Sequence, residues 1–177
     1  MKLPLSLALL ALSRAALAQQ PPVVSAPDVT APSQPEVARP VRAALVTTSA
    51  FGVTHARFFN QLAGARLEYR FTPRFAFGGA VSYANLKGKD RRMHNVLPEL
   101  GLAYRIPLKG ERFGVPFRYG LGFLPKNGPT LRLGAGVDFA LSDAVSLELT
   151  PAEVMVWVNR ERPEVSLNAS LALGVAF

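Results

Sequence analysis

The side chains best equipped for chemistry are few and scattered. His55 and His94 are the only histidines, and the 177-residue chain has no cysteine. The lack of a thiol excludes a disulfide, a cysteine nucleophile and a thiolate metal site. No serine stands with a histidine and an acid in a recognisable catalytic order. No metal-ligand spacing or phosphate-cradling loop occurs either. The sequence therefore assigns no catalytic residue, no metal ligand and no cofactor, and the expectation is a protein that is not an enzyme.

What recurs instead is single charges between apolar neighbours. Arg66, Glu68, Arg70, Glu99, Arg105, Arg118, Arg132, Asp138 and Glu148 all have this setting. A second group, Lys87, Lys89, Arg91, Arg92 and His94, forms a basic run. Isolated charges of both signs invite pairing, whereas a basic run invites an anionic surface.

Both groups need elements to hold them. Beyond residue 41 the chain divides into segments whose apolar residues recur with period two. The last is clearest: Val165, Leu167, Ala169, Leu171, Leu173, Val175 and Phe177 alternate with small or polar residues. Similar alternation covers 63–71, 75–84, 99–106, 113–123, 131–139 and 145–150, with a weaker opening segment over 45–53. That makes eight strands. Period two places alternate residues on opposite faces.

Faces assigned from the apolar residues put all nine isolated charges on the opposite side. Their neighbours on that side are mostly Gly, Ala and Ser. A soluble sheet has a wet polar face rich in Lys, Glu and Thr. Small residues with a few charges suit the crowded inside of a narrow barrel, and the bulky apolar face then meets lipid. A charge on the lipid face would cost about 2–4 kcal/mol at the midplane. The expected fold is all-β: an eight-stranded antiparallel transmembrane β-barrel with up-and-down topology. Arg66, Glu68, Arg70, Glu99, Arg105, Arg118, Arg132, Asp138 and Glu148 become barrel-interior charges that compensate one another. A narrow water or ion path along the arginines is the sharper alternative.

The connections read as alternately short and long. Residues 72–74, 107–112 and 142–143 are short, whereas 54–62, 86–96, 124–129 and 151–164 are mostly longer. Short turns at one end and longer loops at the other are expected of outer-membrane barrels. Lys87, Lys89, Arg91, Arg92 and His94 then form a basic external loop, attracted to the anionic groups of lipopolysaccharide. Trp157, with Val154, Met155, Val156 and Val158, extends strand seven and is expected to set its ring at the membrane interface.

Residues 1–18 read as an export signal, with Lys2, an apolar run over 3–12 and the small-x-small site Ala16-Leu17-Ala18. Residues 19–41 carry six prolines and read as a periplasmic tail or linker. Residues 42–177 are the barrel. The formal charge is +8, and loss of Lys2 and Arg14 with the signal leaves +6. Mean hydropathy is +0.19, which requires much apolar surface to be hidden from water.

The barrel part resembles the small OmpA/OmpX-type outer-membrane proteins. The resemblance rests on the alternation, the loop asymmetry, the Gly-x-Gly-x-Asp-Phe-x-Leu-Ser-Asp run from Gly134 to Asp143, and the terminal phenylalanine. In that family the last strand ends in an aromatic residue preceded by alternating apolar positions, which the barrel-assembly machinery reads. Leu171, Leu173, Val175 and Phe177 match this barrel-assembly signal. The resemblance implies residence in the bacterial outer membrane with both termini in the periplasm. No peptidoglycan-binding domain follows the barrel, so that activity is not carried over.

The expected function is a structural or surface-interaction role in the bacterial envelope. Alternatives are a narrow channel or porin-like pore, a lipid-modifying outer-membrane enzyme, and a soluble lipocalin-like carrier. Expected partners are outer-membrane lipid, lipopolysaccharide and the barrel-assembly machinery. No nucleic acid is expected, and the expected state is a monomer.

Overall fold

A computed structural model of the chain describes residues 38–54, 59–87, 92–108, 112–125, 128–158 and 163–177. The expected signal, most of the proline-rich tail, and His55, Lys89 and Arg91 lie outside the described residues. Eight strands follow one another: β1 (Val41–Gly52), β2 (Phe59–Arg70), β3 (Phe75–Lys87), β4 (Arg92–Pro107), β5 (Phe113–Leu124), β6 (Gly128–Ala140), β7 (Val145–Val158) and β8 (Pro163–Ala176). Each pairs antiparallel with the next, and β1 pairs with β8 to close the barrel. The seam is tied at its lower edge, where Val41 and Phe177 exchange backbone hydrogen bonds of 3.2 and 2.9 Å.

Closure gives each strand an inner and an outer face. Outward residues such as Leu45, Leu67, Val81, Leu100, Leu121 and Leu173 are exposed, and inward ones are mostly buried. Outside a membrane such a surface would be untenable; in lipid it is the required one. Aromatic residues gather at the two ends. Phe71, Phe75 and Tyr104 form a chain of ring contacts at the end carrying the turns 71–74, 108–112 and 141–144, and Phe113 packs on Phe139 there. Phe51 packs on Phe59 at the opposite end. Paired aromatic bands of this kind mark the two membrane–water boundaries. The two ends are called the turn end and the loop end below.

The loops differ from the sequence expectation. Strands of about 9–11 residues span a bilayer, yet β4 has 16 residues and β7 and β8 have 14 each. The surplus runs into the segments read above as long loops. Connections 88–91, 125–127 and 159–162 are therefore as short as the turns at the other end. Lys87 ends β3, and Arg92 and His94 belong to β4, so the basic run is largely strand rather than loop. His94 lies on the outer face, stacked on Tyr83 at 5.6 Å, with the phenol and Nδ1 hydrogen-bonded. Each of these extensions stays paired across the ladder, which satisfies backbone groups that an irregular loop would leave to water.

Trp157 also departs from expectation. Its ring is buried inside the barrel, not at the lipid interface. The cause is a β-bulge in β7. Thr150 pairs with Ser170 and Glu153 with Asn168, so β7 advances three residues while β8 advances two. The same extra residue shifts the register against β6 between Ala135 and Val137. Pro151 sits in the bulge, where its missing amide proton breaks no ladder bond. Past the bulge the inward parity changes from even to odd numbers, and Glu153, Met155 and Trp157 turn into the lumen.

There Met155 and Trp157 meet Ala50, Leu62, Ala84, Leu86, Leu97 and Leu124 in one buried apolar cluster. Towards the loop end the lumen is thus filled by apolar rather than charged side chains, while Phe51, Phe59, Tyr83, Val96, Phe123 and Val154 keep the outer face apolar as well. Burying a large aliphatic side chain stabilises by about 1.5–3 kcal/mol. Trp157 is the only tryptophan in the chain, so its emission reports on this cluster alone. We expect weak quenching both by acrylamide in water and by bromine-labelled lipid chains. Strong quenching by brominated lipid would put the ring on the outer face and refute its place in the lumen cluster.

Candidate functional site

The polar site of this protein is the lumen itself. Its narrowness is written in the inward residues, where Gly120, Gly122, Gly134 and Gly174 leave room for the side chains of Glu99, Arg132, Glu153 and Arg42. Gly114 is an instance of necessity: a Cβ there would fall 2.4 Å from Asp138 Oδ1 and 2.5 Å from Arg105 Nε. The charged groups lie along the barrel in three layers.

The middle layer is the densest. Glu68 and Glu148, from β2 and β7, are surrounded by Arg42, Arg66 and Arg118 from β1, β2 and β5. Arg42 Nη1 lies 3.1 Å from Glu148 Oε2 and 3.5 Å from Glu68 Oε2. Arg66 Nη2 lies 3.0 Å from Glu148 Oε2, and Arg66 Nε lies 3.4 Å from Glu68 Oε1. Arg118 bridges both acids: its Nε and Nη1 donate to Glu148 and Glu68, and Nη2 reaches Glu148 Oε2 at 2.7 Å. Glu148 is only 2% exposed. Arginine suits such a place because its planar fork can serve two carboxylates at once.

Towards the turn end, Arg105 Nε donates to Asp138 Oδ2 at 2.8 Å, and Arg70 lies in the same region without an ion pair among the described residues. Towards the loop end, Arg132 Nε lies 3.2 Å from Glu99 and 3.5 Å from Glu153. Asn168 donates to Glu153 at 3.0 Å, Ser170 does so at 3.3 Å, and Thr48 contacts Ser170 at 2.9 Å. A cavity of about 60 Å³ remains between the middle and upper layers, lined in part by Arg66, Glu99, Arg118 and Arg132. It has room for a few waters.

The structure places all nine sequence-assigned interior charges on the lumen side. It joins eight of them in ion pairs and leaves Arg70 apart. Two lumen charges were missed by the sequence reading. Arg42 was passed over because β1 begins at Val41, earlier than the opening strand that the blurred alternation of Thr47 and Ser49 suggested. Glu153 was assigned to a loop because Pro151 interrupts the pattern. The sequence carries no clear signal of the inserted residue, because Val154, Met155, Val156, Trp157 and Val158 are apolar at odd and even positions alike. Leu171, Leu173 and Val175 lie on the outer face of β8, and Phe177 closes the seam to Val41. Among the described residues no group of three or more His, Asp or Glu is arranged to hold a metal ion.

A closed eight-stranded barrel with an apolar outer belt, aromatic ends and a charged lumen defines the small outer-membrane β-barrel fold, and this chain has it. Solved structures bear this out. Neisserial surface protein A superposes with a TM-score of 0.59 at 13% identity, over 77% of this chain and 97% of that one. The N-terminal β-barrel domain of Pseudomonas aeruginosa OprF superposes with a TM-score of 0.50 at 16% identity, over 77% and 97%. Identity at this level speaks for the fold alone. No protein-family model matches the sequence, and no curated protein matches it.

Replacing Glu148 by Gln tests the middle layer. It leaves Glu68 to balance three arginines, and removing one partner of a buried pair costs about 3–5 kcal/mol. The expected result is a fall of that size in unfolding free energy, measured by urea titration in lipid vesicles. Glu164→Gln, at the loop-end rim, is expected to change it by less than about 1 kcal/mol.

Proposed function

We propose that this protein is a non-conducting barrel of the bacterial outer membrane, with a structural or surface-interaction role in the envelope. One observation carries the reading: the lumen is obstructed twice, by different physics. An ion must first displace arginine–carboxylate contacts in the middle layer, where every charge already has an opposite partner. It must then cross the apolar cluster of Leu62, Leu86, Leu97, Leu124, Met155 and Trp157, which offers no ligand to replace its hydration shell. Eight strands leave an interior that side chains can fill.

The surplus strand length at the loop end supports display beyond the lipid, on a rigid paired rim rather than on long flexible loops. The basic character of Lys87, Lys89, Arg91, Arg92 and His94 favours the anionic groups of lipopolysaccharide as the neighbour of that rim. This reading places the turn end, with both termini, in the periplasm. It also leaves Leu171, Leu173, Val175 and Phe177 available to the assembly machinery before the seam closes. The neighbouring fold from Neisseria is named a surface protein, which is in keeping with this role.

The channel alternative draws on the cavity between the layers. Planar-bilayer recording separates the two. Folded protein, verified by its altered gel mobility before boiling, is expected to add no discrete current steps at 100 mV in 1 M KCl. Reproducible unitary steps would overturn the proposal in favour of a channel.

A further inference from the structure

The lumen charges do not balance evenly along the barrel. The upper layer sets Glu99 and Glu153 against Arg132. Everything below it is richer in arginine. A recess at the turn end is lined by Arg42, Arg70, Arg74, Arg105 and Arg118, with Glu68, Asp138 and Glu148 as its acids. Five cations therefore face three anions around one recess, four of the cations inside the lumen and Arg74 at its exposed rim.

The surplus can be traced to particular groups. Arg118 is consumed by Glu68 and Glu148, and Arg105 by Asp138. Arg70 forms no ion pair among the described residues. The charges acting on it are Arg42 and Arg105 as well as Glu68 and Asp138, so repulsion offsets attraction. Arg42 is 4% exposed and meets the acids through Nη1; among the described residues its Nε and Nη2 have no hydrogen-bond partner. Leaving buried guanidinium N–H groups unmet costs about 1–3 kcal/mol or more. Arg74 stands exposed on the rim, in the turn between β2 and β3. Asp138 Oδ1, also without a hydrogen-bond partner among the described residues, lies beside Gly114 and Arg105 in the same recess.

We propose that this recess is a binding site for a phosphate group, held by Arg70 with Arg42 beneath it and Arg74 at the rim. The three guanidiniums come from β1, the end of β2 and the following turn. All three line the same recess, and donors drawn from three separate backbone positions suit a tetrahedral oxyanion better than a planar carboxylate satisfied by a single fork. The recess offers about 30 Å³, room for a few water-sized groups such as the oxygens of one phosphate. The remainder of the ligand projects outward past Arg74. The site opens at the end opposite to the basic rim and is independent of whether the lumen conducts.

The test uses full-length mature protein folded in a phosphate-free non-ionic detergent, with arginine side chains labelled for NMR. Inorganic phosphate is expected to shift the Nε–Hε resonances of Arg70 and Arg42 saturably, while chloride at equal ionic strength does not. Arg70→Gln should weaken the apparent affinity at least tenfold. Arg74→Gln, at an exposed position that does not endanger folding, should weaken it about threefold. Gel mobility before boiling checks that each variant remains folded. Absence of saturable shifts, or affinity unchanged in both variants, would overturn the site. Nanodiscs of phosphatidylglycerol identify the source of the phosphate. If they shift the same resonances and free phosphate adds nothing, the group is a lipid headgroup. If free phosphate still titrates there, the ligand is soluble.

Discussion

Lipid offers the backbone no hydrogen-bond partner, and most features of this protein descend from that constraint. A sheet in lipid can leave no open edge, so β1 must find β8. Closing only eight strands makes the lumen narrow, and a narrow lumen admits glycine, alanine and serine over much of its wall. The few long side chains that remain must then share the space left above those small residues. They are charged because the lumen is screened from lipid, and they are paired because it is also largely screened from water. The arginine–carboxylate layers are thus a consequence of closure.

The filling of the lumen changes along the barrel. In its middle the bulky residues face out and the charged ones face in. Towards the loop end Leu62, Leu86, Leu97, Leu124, Met155 and Trp157 face in, while Phe51, Phe59, Tyr83, Val96, Phe123 and Val154 keep the outer face apolar. The changeover needs no extra domain. On β7 it is made by one inserted residue beside Pro151, and on β2, β3, β4 and β5 simply by which residues occupy inward positions. One continuous sheet therefore carries two kinds of interior, one held by ion pairs and one by apolar packing.

Much of this was legible before any coordinates. Period-two alternation located all eight strands, and assigning faces from the bulky residues separated nine charges from the lipid side. Alternation reports faces wherever one side is uniformly apolar, which holds inside the membrane belt. It fails where both faces are apolar. Leu62, Leu86, Leu97 and Leu124 break the expected alternation because the lumen is apolar at their level, and so the strand ends there looked like loops. Trp157 looked like an interface anchor because a bulge moves side chains to the other face without changing composition. Arg42 was hidden by Thr47 and Ser49, which are polar yet face outward. Which acid meets which arginine depends on barrel shear, and a single sequence carries no record of it.

The distribution of charge over the strands also bears on how the barrel is completed. Apart from Arg42 near the foot of β1 and Glu164 near the top of β8, the two strands that meet at the seam carry no formal charge. The inner face of β8 otherwise presents Ser166, Asn168, Ser170, Ala172, Gly174 and Ala176. The other arginines and acids of the lumen belong to strands β2 to β7, which can collect them into a sheltered concave sheet before it shuts. The closing step then adds a single ionised group to the middle layer, Arg42, which meets Glu148 and Glu68. The transfer barrier for the final strand is otherwise that of hydroxyls and amides, and the rest of the charged interior is sealed by a zipper of neutral residues.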